Sequence, residues 1–175
     1  MTAEQEKTIQ GLKYAIQMEI DGKEFYLKAS RESSSDMGKK LLEQLAKEED
    51  YHRRKFELIY QSIQQKKSWP ATDFKQDSGQ TLRTIFARAI EKIDSGEKAL
   101  GTELDTIKTA MDMENESRDF YTGRAESAGE EGERDFYHQV ADEEREHHLV
   151  LMDYYDYLKD PAHWFTRMEH PSLDG

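Results

Sequence analysis

Two glutamate–histidine pairs, Glu49 with His52 and Glu144 with His147, carry the most specific chemistry in the 175-residue sequence. Residues three apart on a helix share a face, so each pair can offer a carboxylate oxygen and an imidazole nitrogen to one point. A single such pair is expected by chance in a glutamate-rich chain, but His138, His148, His163 and His170 all lack a glutamate three residues earlier. Two further carboxylates sit in apolar stripes: Glu19 follows Leu12, Ala15 and Ile16 and precedes Tyr26, and Glu114 follows Ile107, Ala110 and Met111. Four carboxylates converging in a core would repel one another and resist desolvation unless they took up protons or bound cations. Two divalent metals would cancel the four charges. Carboxylate oxygen with imidazole nitrogen suits iron or manganese, with zinc possible and thiolate-loving metals disfavoured.

These groups are related by an internal repeat at an offset of 95 residues. Ala15-Ile16-Gln17-Met18-Glu19 falls on Ala110-Met111-Asp112-Met113-Glu114, and Phe25-Tyr26 on Phe120-Tyr121. Without a gap, Leu45-Ala46-Lys47-Glu48-Glu49 then falls on Val140-Ala141-Asp142-Glu143-Glu144, and His52 on His147. A match that spans two arms and their turn implies two similar helical hairpins packed about a pseudo-two-fold axis.

The elements that must position them read as all-α. Valine occurs only at 140 and 150, while Glu, Lys, Gln, Ala and Leu abound, a balance that favours helix over sheet. Apolar periodicity predicts helices over about 4–30, 37–63, 103–126 and up to about 158. Ser33-Ser34-Ser35-Asp36 breaks the first from the second, Trp69-Pro70 ends the second, and Ser127 with Glu130 reads as a capping box for the fourth. The connector from about 64 to 101 has a short amphipathic helix on Leu82, Ile85, Phe86, Ile90 and Ile93, as suits a crossover. The expected organisation is one domain over 1–160, followed by a tail at 161–175 that docks on the bundle through Trp164, Phe165 and Met168.

Composition bounds the function. Mean hydropathy is -1.00, and Leu, Ile, Val and Phe make up only roughly 18 per cent, so something besides generic apolar burial must order the chain: aromatic rings and methionines partly compensate, and a bound metal pair could add more. A net charge of -12 repels phosphate backbones and attracts cations, so nucleic acid is not an expected partner. No stretch is apolar enough for a membrane span, and the cytoplasm is the expected compartment. The absence of cysteine excludes disulfides, thiolate zinc sites and iron–sulfur clusters within this sequence.

One glutamate from each of two helices, with Glu-x-x-His from each of the other two, is the ligand pattern of ferritin-like di-metal carboxylate bundles. More narrowly, Glu19 to Tyr26, the two Glu-x-x-His helices and the aromatic tail around Trp164-Phe165 resemble the rubrerythrin-like branch of that superfamily over nearly the whole chain. The resemblance implies a four-helix bundle of two hairpins holding two iron ions. Glu49 and Glu144 would bridge them, Glu19 and Glu114 would be terminal, and His52 and His147 would each cap one metal. It also implies reduction of hydrogen peroxide or dioxygen. Typical members carry a C-terminal rubredoxin module with four iron-binding cysteines, which this sequence lacks, so an external electron donor is expected. They also carry a further metal-binding glutamate three residues beyond the third-helix one, where this sequence has Ser117, while Glu116 points elsewhere.

Several positions have competing readings. Tyr26 and Tyr121, two turns past Glu19 and Glu114, either hydrogen-bond a ligand carboxylate or simply pack. Glu48 and Glu143 read as a solvated helix face, and His148 as a surface residue. Apolar positions such as Ile85 and Phe86 look exposed, which suggests a homodimer. Two other functions remain: ferroxidase-type iron binding or storage, and a metal-free structural bundle whose glutamates are solvated or paired with Lys23 and Arg118.

Overall fold

The computed structural model describes residues 2–65, 68–92 and 101–169. Among these, all regular structure is helical: α1 (Ala3–Glu32), α2 (Asp36–Gln64), α3 (Gln80–Ile90), α4 (Gly101–Glu126), α5 (Glu131–Lys159) and α6 (Pro161–Glu169). Helices α1 and α2 pack as one antiparallel hairpin and α4 and α5 as another, with α3 in the crossover lying against α2 and α5. No helix among the described residues is long and apolar enough to cross a membrane.

Local chemistry sets the ends. Thr2 and Gln5 form a capping box at the start of α1, and the Ser35 hydroxyl accepts the Gly38 N–H at the start of α2. The expected capping box at Ser127 does not form: Glu130 is the N-cap of α5 without a side-chain cap, and the Ser127 hydroxyl turns back to the carbonyls of Gly123 and Arg124. A serine can satisfy the end of the preceding helix as readily as the start of the next, and here the former wins. Helix α3 starts after Ser78 and Gly79, which have φ of 52° and 70°. Glycine takes that left-handed conformation without strain, and Asp77 accepts both the N–H and the hydroxyl of Thr81 one turn on.

The core falls into two apolar clusters, and each long helix contributes to both. One holds Tyr26, Leu41, Leu42, Leu45, Ile107, Val150, Leu151 and Tyr154; the other holds Leu12, Ala15, Phe56, Ile59, Tyr121, Phe136, Tyr137 and Val140. The switch between clusters falls at Glu19 in α1, at Glu49 and His52 in α2, at Glu114 in α4 and at Glu144 and His147 in α5. The apolar stripe of each helix is thus interrupted once, at the same level of the bundle.

The crossover and tail complete the first cluster. Phe86 of α3 packs edge-on to Tyr154, Tyr157 and Trp164 and is buried, with Ile85 partly buried against the same cluster. The cover that these residues need therefore comes from their own chain, which removes the ground on which a homodimer was expected. Ile93 lies outside the described residues. The tail forms a helix, because Pro161 is preset for a first turn; Trp164 is buried and Phe165 half-buried, but Met168 is 60% exposed and takes no part in docking. Residues 170–175 lie outside the described residues.

Candidate metal centre

At the interruption of the four stripes, six side chains meet. Glu19, Glu49, His52, Glu114, Glu144 and His147 are each no more than 5% exposed. They form two overlapping groups: Glu19, Glu49, His52 and Glu144, and Glu49, Glu114, Glu144 and His147, each with its donor atoms within 4.8 Å of one another. Glu49 and Glu144 belong to both. His52 Nδ1 lies 3.4 Å from Glu19 Oε2 and 3.2 Å from Glu144 Oε1. His147 Nδ1 lies 3.3 Å from Glu49 Oε1 and 3.5 Å from Glu114 Oε2. The two imidazoles face each other, centroids 5.7 Å apart and rings 11° from parallel.

The inward atoms lie within ion-pair range of one another but make no hydrogen bond. Glu19 Oε2, Glu49 Oε1, His52 Nδ1, Glu114 Oε2, both carboxylate oxygens of Glu144 and His147 Nδ1 are buried without a hydrogen bond. Buried polar atoms left unpaired cost free energy, and this many converging on one place call for shared protons or bound cations. The donor set, carboxylate oxygens and imidazole nitrogens, fits a pair of divalent cations.

The outer oxygens of the two outlying carboxylates are held by tyrosine. The Tyr26 hydroxyl donates to Glu114 Oε1 and the Tyr121 hydroxyl to Glu19 Oε1. Each tyrosine thus serves the glutamate of the other hairpin rather than the one on its own helix. Both hydroxyls do this while packed in apolar clusters, so the two readings of these residues describe one arrangement. Burial, and then the adjacent carboxylates, push both phenols well above their ordinary pKa, which keeps them as donors.

Without metal, protons must offset the charge. Burial, then the neighbouring carboxylates, raise the pKa values of Glu49 and Glu144 well above the ordinary range. Burial opposes ionisation of Glu114, but the facing His147 and the Tyr26 hydroxyl outweigh it and hold this carboxyl at about 2. Burial likewise opposes protonation of His147, yet Glu114, Glu48 and Glu49 outweigh it and raise the imidazole pKa. The cluster holds positive charge in its metal-free form as shared protons.

Three readings of the surroundings need correction. Glu48 and Glu143 do not form a solvated face, being 8% and 3% exposed. Glu48 Oε2 lies 2.7 Å from His147 Nε2, and Glu143 Oε1 accepts the Ser78 N–H at 2.9 Å. Helical position placed both beside the inward glutamates, but the opposite hairpin and the crossover close over them, which no one-helix reading anticipates. His148 is half-buried, its Nδ1 3.1 Å from the Met111 carbonyl oxygen. Lys23 and Arg118 do not neutralise the stripe glutamates: Lys23 pairs with Asp50 at 2.8 Å and Arg118 with Asp119 at 2.9 Å. Ser117 is half-buried and Glu116 exposed.

One other residue shapes the centre. A Cβ built on Gly22 would lie 2.6 Å from Glu49 Oε2, so glycine lets α1 approach the shared carboxylate. The signal was present in the sequence, one turn beyond Glu19, but a glycine within a helix has meaning only once its neighbour is known.

An all-helical pair of hairpins with a buried carboxylate–histidine cluster shared between them defines a ferritin-like carboxylate bundle. Residues 10–155 match the family model described as Rubrerythrin. The chain belongs to the rubrerythrin family, a ferritin-like di-iron carboxylate family. No curated protein and no solved structure matches it significantly.

Proposed function

We propose that Glu19, Glu49, His52, Glu114, Glu144 and His147 hold two iron ions, and that the chain is an oxidoreductase that reduces hydrogen peroxide or dioxygen with electrons from an external donor. The observation that carries this reading is the set of unpartnered inward oxygens and nitrogens in a chain of this family. Glu49 and Glu144, common to both groups, would bridge; Glu19 and Glu114 would be terminal, and each histidine would offer Nδ1 to one metal. When bound, the metal pair would supply the two electrons and the open coordination positions that reduction of peroxide needs.

The chain's own residues supply the geometry. Tyr26 and Tyr121 engage the outer oxygens of Glu114 and Glu19, which leaves one oxygen of each aimed inward. Their elevated pKa values keep the protons on the phenols of the metal-free protein, so the two terminal carboxylates are already oriented before a metal arrives. Apolar clusters above and below exclude bulk water from the ligands and strengthen every interaction within.

Two measurements test the reading. Metal analysis of protein purified without chelators should find up to two ions per chain, and fewer in Glu49→Ala. Anaerobic loading with ferrous ion followed by stoichiometric peroxide should then oxidise the bound iron faster than free ferrous ion; equal rates refute the redox role. Uptake and oxidation of many irons per chain would instead favour iron storage, and a chain that retains no metal would favour the purely structural bundle.

A further inference from the structure

The repeat gives both halves of the centre the same parts: a terminal glutamate held by a tyrosine, two shared glutamates, and a histidine presenting Nδ1. They differ behind the histidines. His147 Nε2 lies 2.7 Å from Glu48 Oε2, with the imidazole fully buried and Glu48 8% exposed. A carboxylate only accepts hydrogen bonds, so this contact fixes a proton on Nε2 and leaves Nδ1 as the nitrogen that faces the centre, the one a metal would take in place of a proton.

The repeat mate of Glu48 is Glu143, and symmetry would place it behind His52. It is elsewhere. Its Oε1 accepts the Ser78 N–H, and its carboxylate groups with Glu48 and His147 instead. The crossover causes this. Ser78 and Gly79 have positive φ, Arg83 Nη1 donates to the Ser78 carbonyl at 2.7 Å, and its Nη2 donates to Glu146, so the Ser78 N–H is anchored against α5. The same segment lays Phe74 against His52, ring centroids 5.7 Å apart. Among the described residues, no carboxylate hydrogen-bonds the outer nitrogen of His52. The crossover occurs once in the chain, so it breaks the symmetry that the repeat creates.

Building on the two-metal reading, we infer that the two metal positions are unequal, and that Glu48 is the positioning residue that makes the position served by His147 the tighter. A carboxylate behind a metal-binding imidazole fixes its tautomer and ring orientation and raises its basicity, and losing such a partner typically costs about 10–100-fold in metal affinity. His52 has ring contacts with Tyr51 and Phe74 but no carboxylate hydrogen bond to fix its tautomer, which is selected on binding. The metals therefore load in order, His147 side first.

The probe is cobaltous ion added to the metal-free full-length chain, in competition with a chromophoric chelator, with proton NMR in parallel. The first equivalent should bind about 10–100-fold tighter than the second and bring one slowly exchanging, paramagnetically shifted imidazole N–H, protected by Glu48. In Glu48→Ala the first affinity should fall to that of the second and the N–H signal should vanish by exchange. Glu48→Gln, whose amide oxygen can accept the same hydrogen bond, should restore both, which a merely structural defect would not allow. Two equal affinities in the unaltered protein, or a first affinity and N–H signal that Glu48→Ala leaves unchanged, overturn the inference while the two-metal reading stands. Failure to bind two equivalents overturns the two-metal reading and the inference together.

Discussion

Replacing Gly22 by alanine should weaken metal binding while hardly changing the metal-free protein. The new methyl carbon would stand 2.6 Å from Glu49 Oε2, where ordinary contact begins at 3.4 Å, so that oxygen must withdraw by about 0.8 Å. In the metal-free protein the carboxylate sits at the end of a flexible side chain and can swing away. Removing a helix-interior glycine contributes about 1 kcal/mol in return, and the net change should lie within about 1 kcal/mol of zero, or roughly 2–4 °C in Tm. With metal bound the swing is forbidden, because ligand distances tolerate only about 0.2 Å. Glu49 belongs to both donor groups, so both positions should suffer. A loss of about 10–100-fold at each would remove roughly 1.4–2.7 kcal/mol of metal-induced stabilisation per ion. The assay is thermal unfolding of wild type and Gly22→Ala, each without metal and with a fixed excess of ferrous or cobaltous ion, supported by calorimetric titration. If the variant shows the same metal-induced rise in Tm as wild type, Glu49 is not held by metal and the reasoning fails.

Three further outcomes follow from the same geometry. Glu49, Glu144 and His147 have folded pKa values above their unfolded ones, so the stability they contribute is complete below the unfolded values near 4.3 and 6.5 and is lost as pH rises through the folded ones. The depressed Glu114 acts in the opposite sense, but only below its unfolded value. The Tm of the metal-free protein should therefore fall between about pH 5.5 and 8.5 while the gain on adding metal grows; a metal-free Tm that climbs over that range would contradict the proton-sharing account. Tyr121→Phe leaves the buried Glu19 Oε1 without its donor and should cost about 1.5–3 kcal/mol in urea unfolding of the metal-free chain, and a cost near zero would show that the phenol only packs. Phe86→Ala opens a cavity among Tyr154, Tyr157 and Trp164 and should cost about 3–5 kcal/mol, with metal stoichiometry unaltered because the crossover's hold on Glu143 lies at Ser78.

By itself the sequence determined the helices, their pairing and which side chains would meet, since these rest on local periodicity and on the 95-residue repeat. A carboxylate inside an apolar stripe must face the core wherever that stripe is buried, so Glu19 and Glu114 were legible without coordinates. Residues whose role depends on a neighbour distant in sequence were not. Glu48 and Glu143 sit at positions that a lone helix would leave in water, and only the packing of α2, α5 and the crossover buries them. Tyr26 and Tyr121 reach across to the opposite hairpin because the helices run antiparallel, which periodicity within one helix does not encode. Gly22 gains its meaning from the proximity of Glu49, and Phe86 loses its exposure to Trp164 of a short helix that no apolar repeat announced. Tertiary structure also decided where the symmetry ends: a repeat makes two halves alike, but the single crossover between them lays Phe74 against His52 and ties Glu143 to Ser78, and these contacts make the halves different.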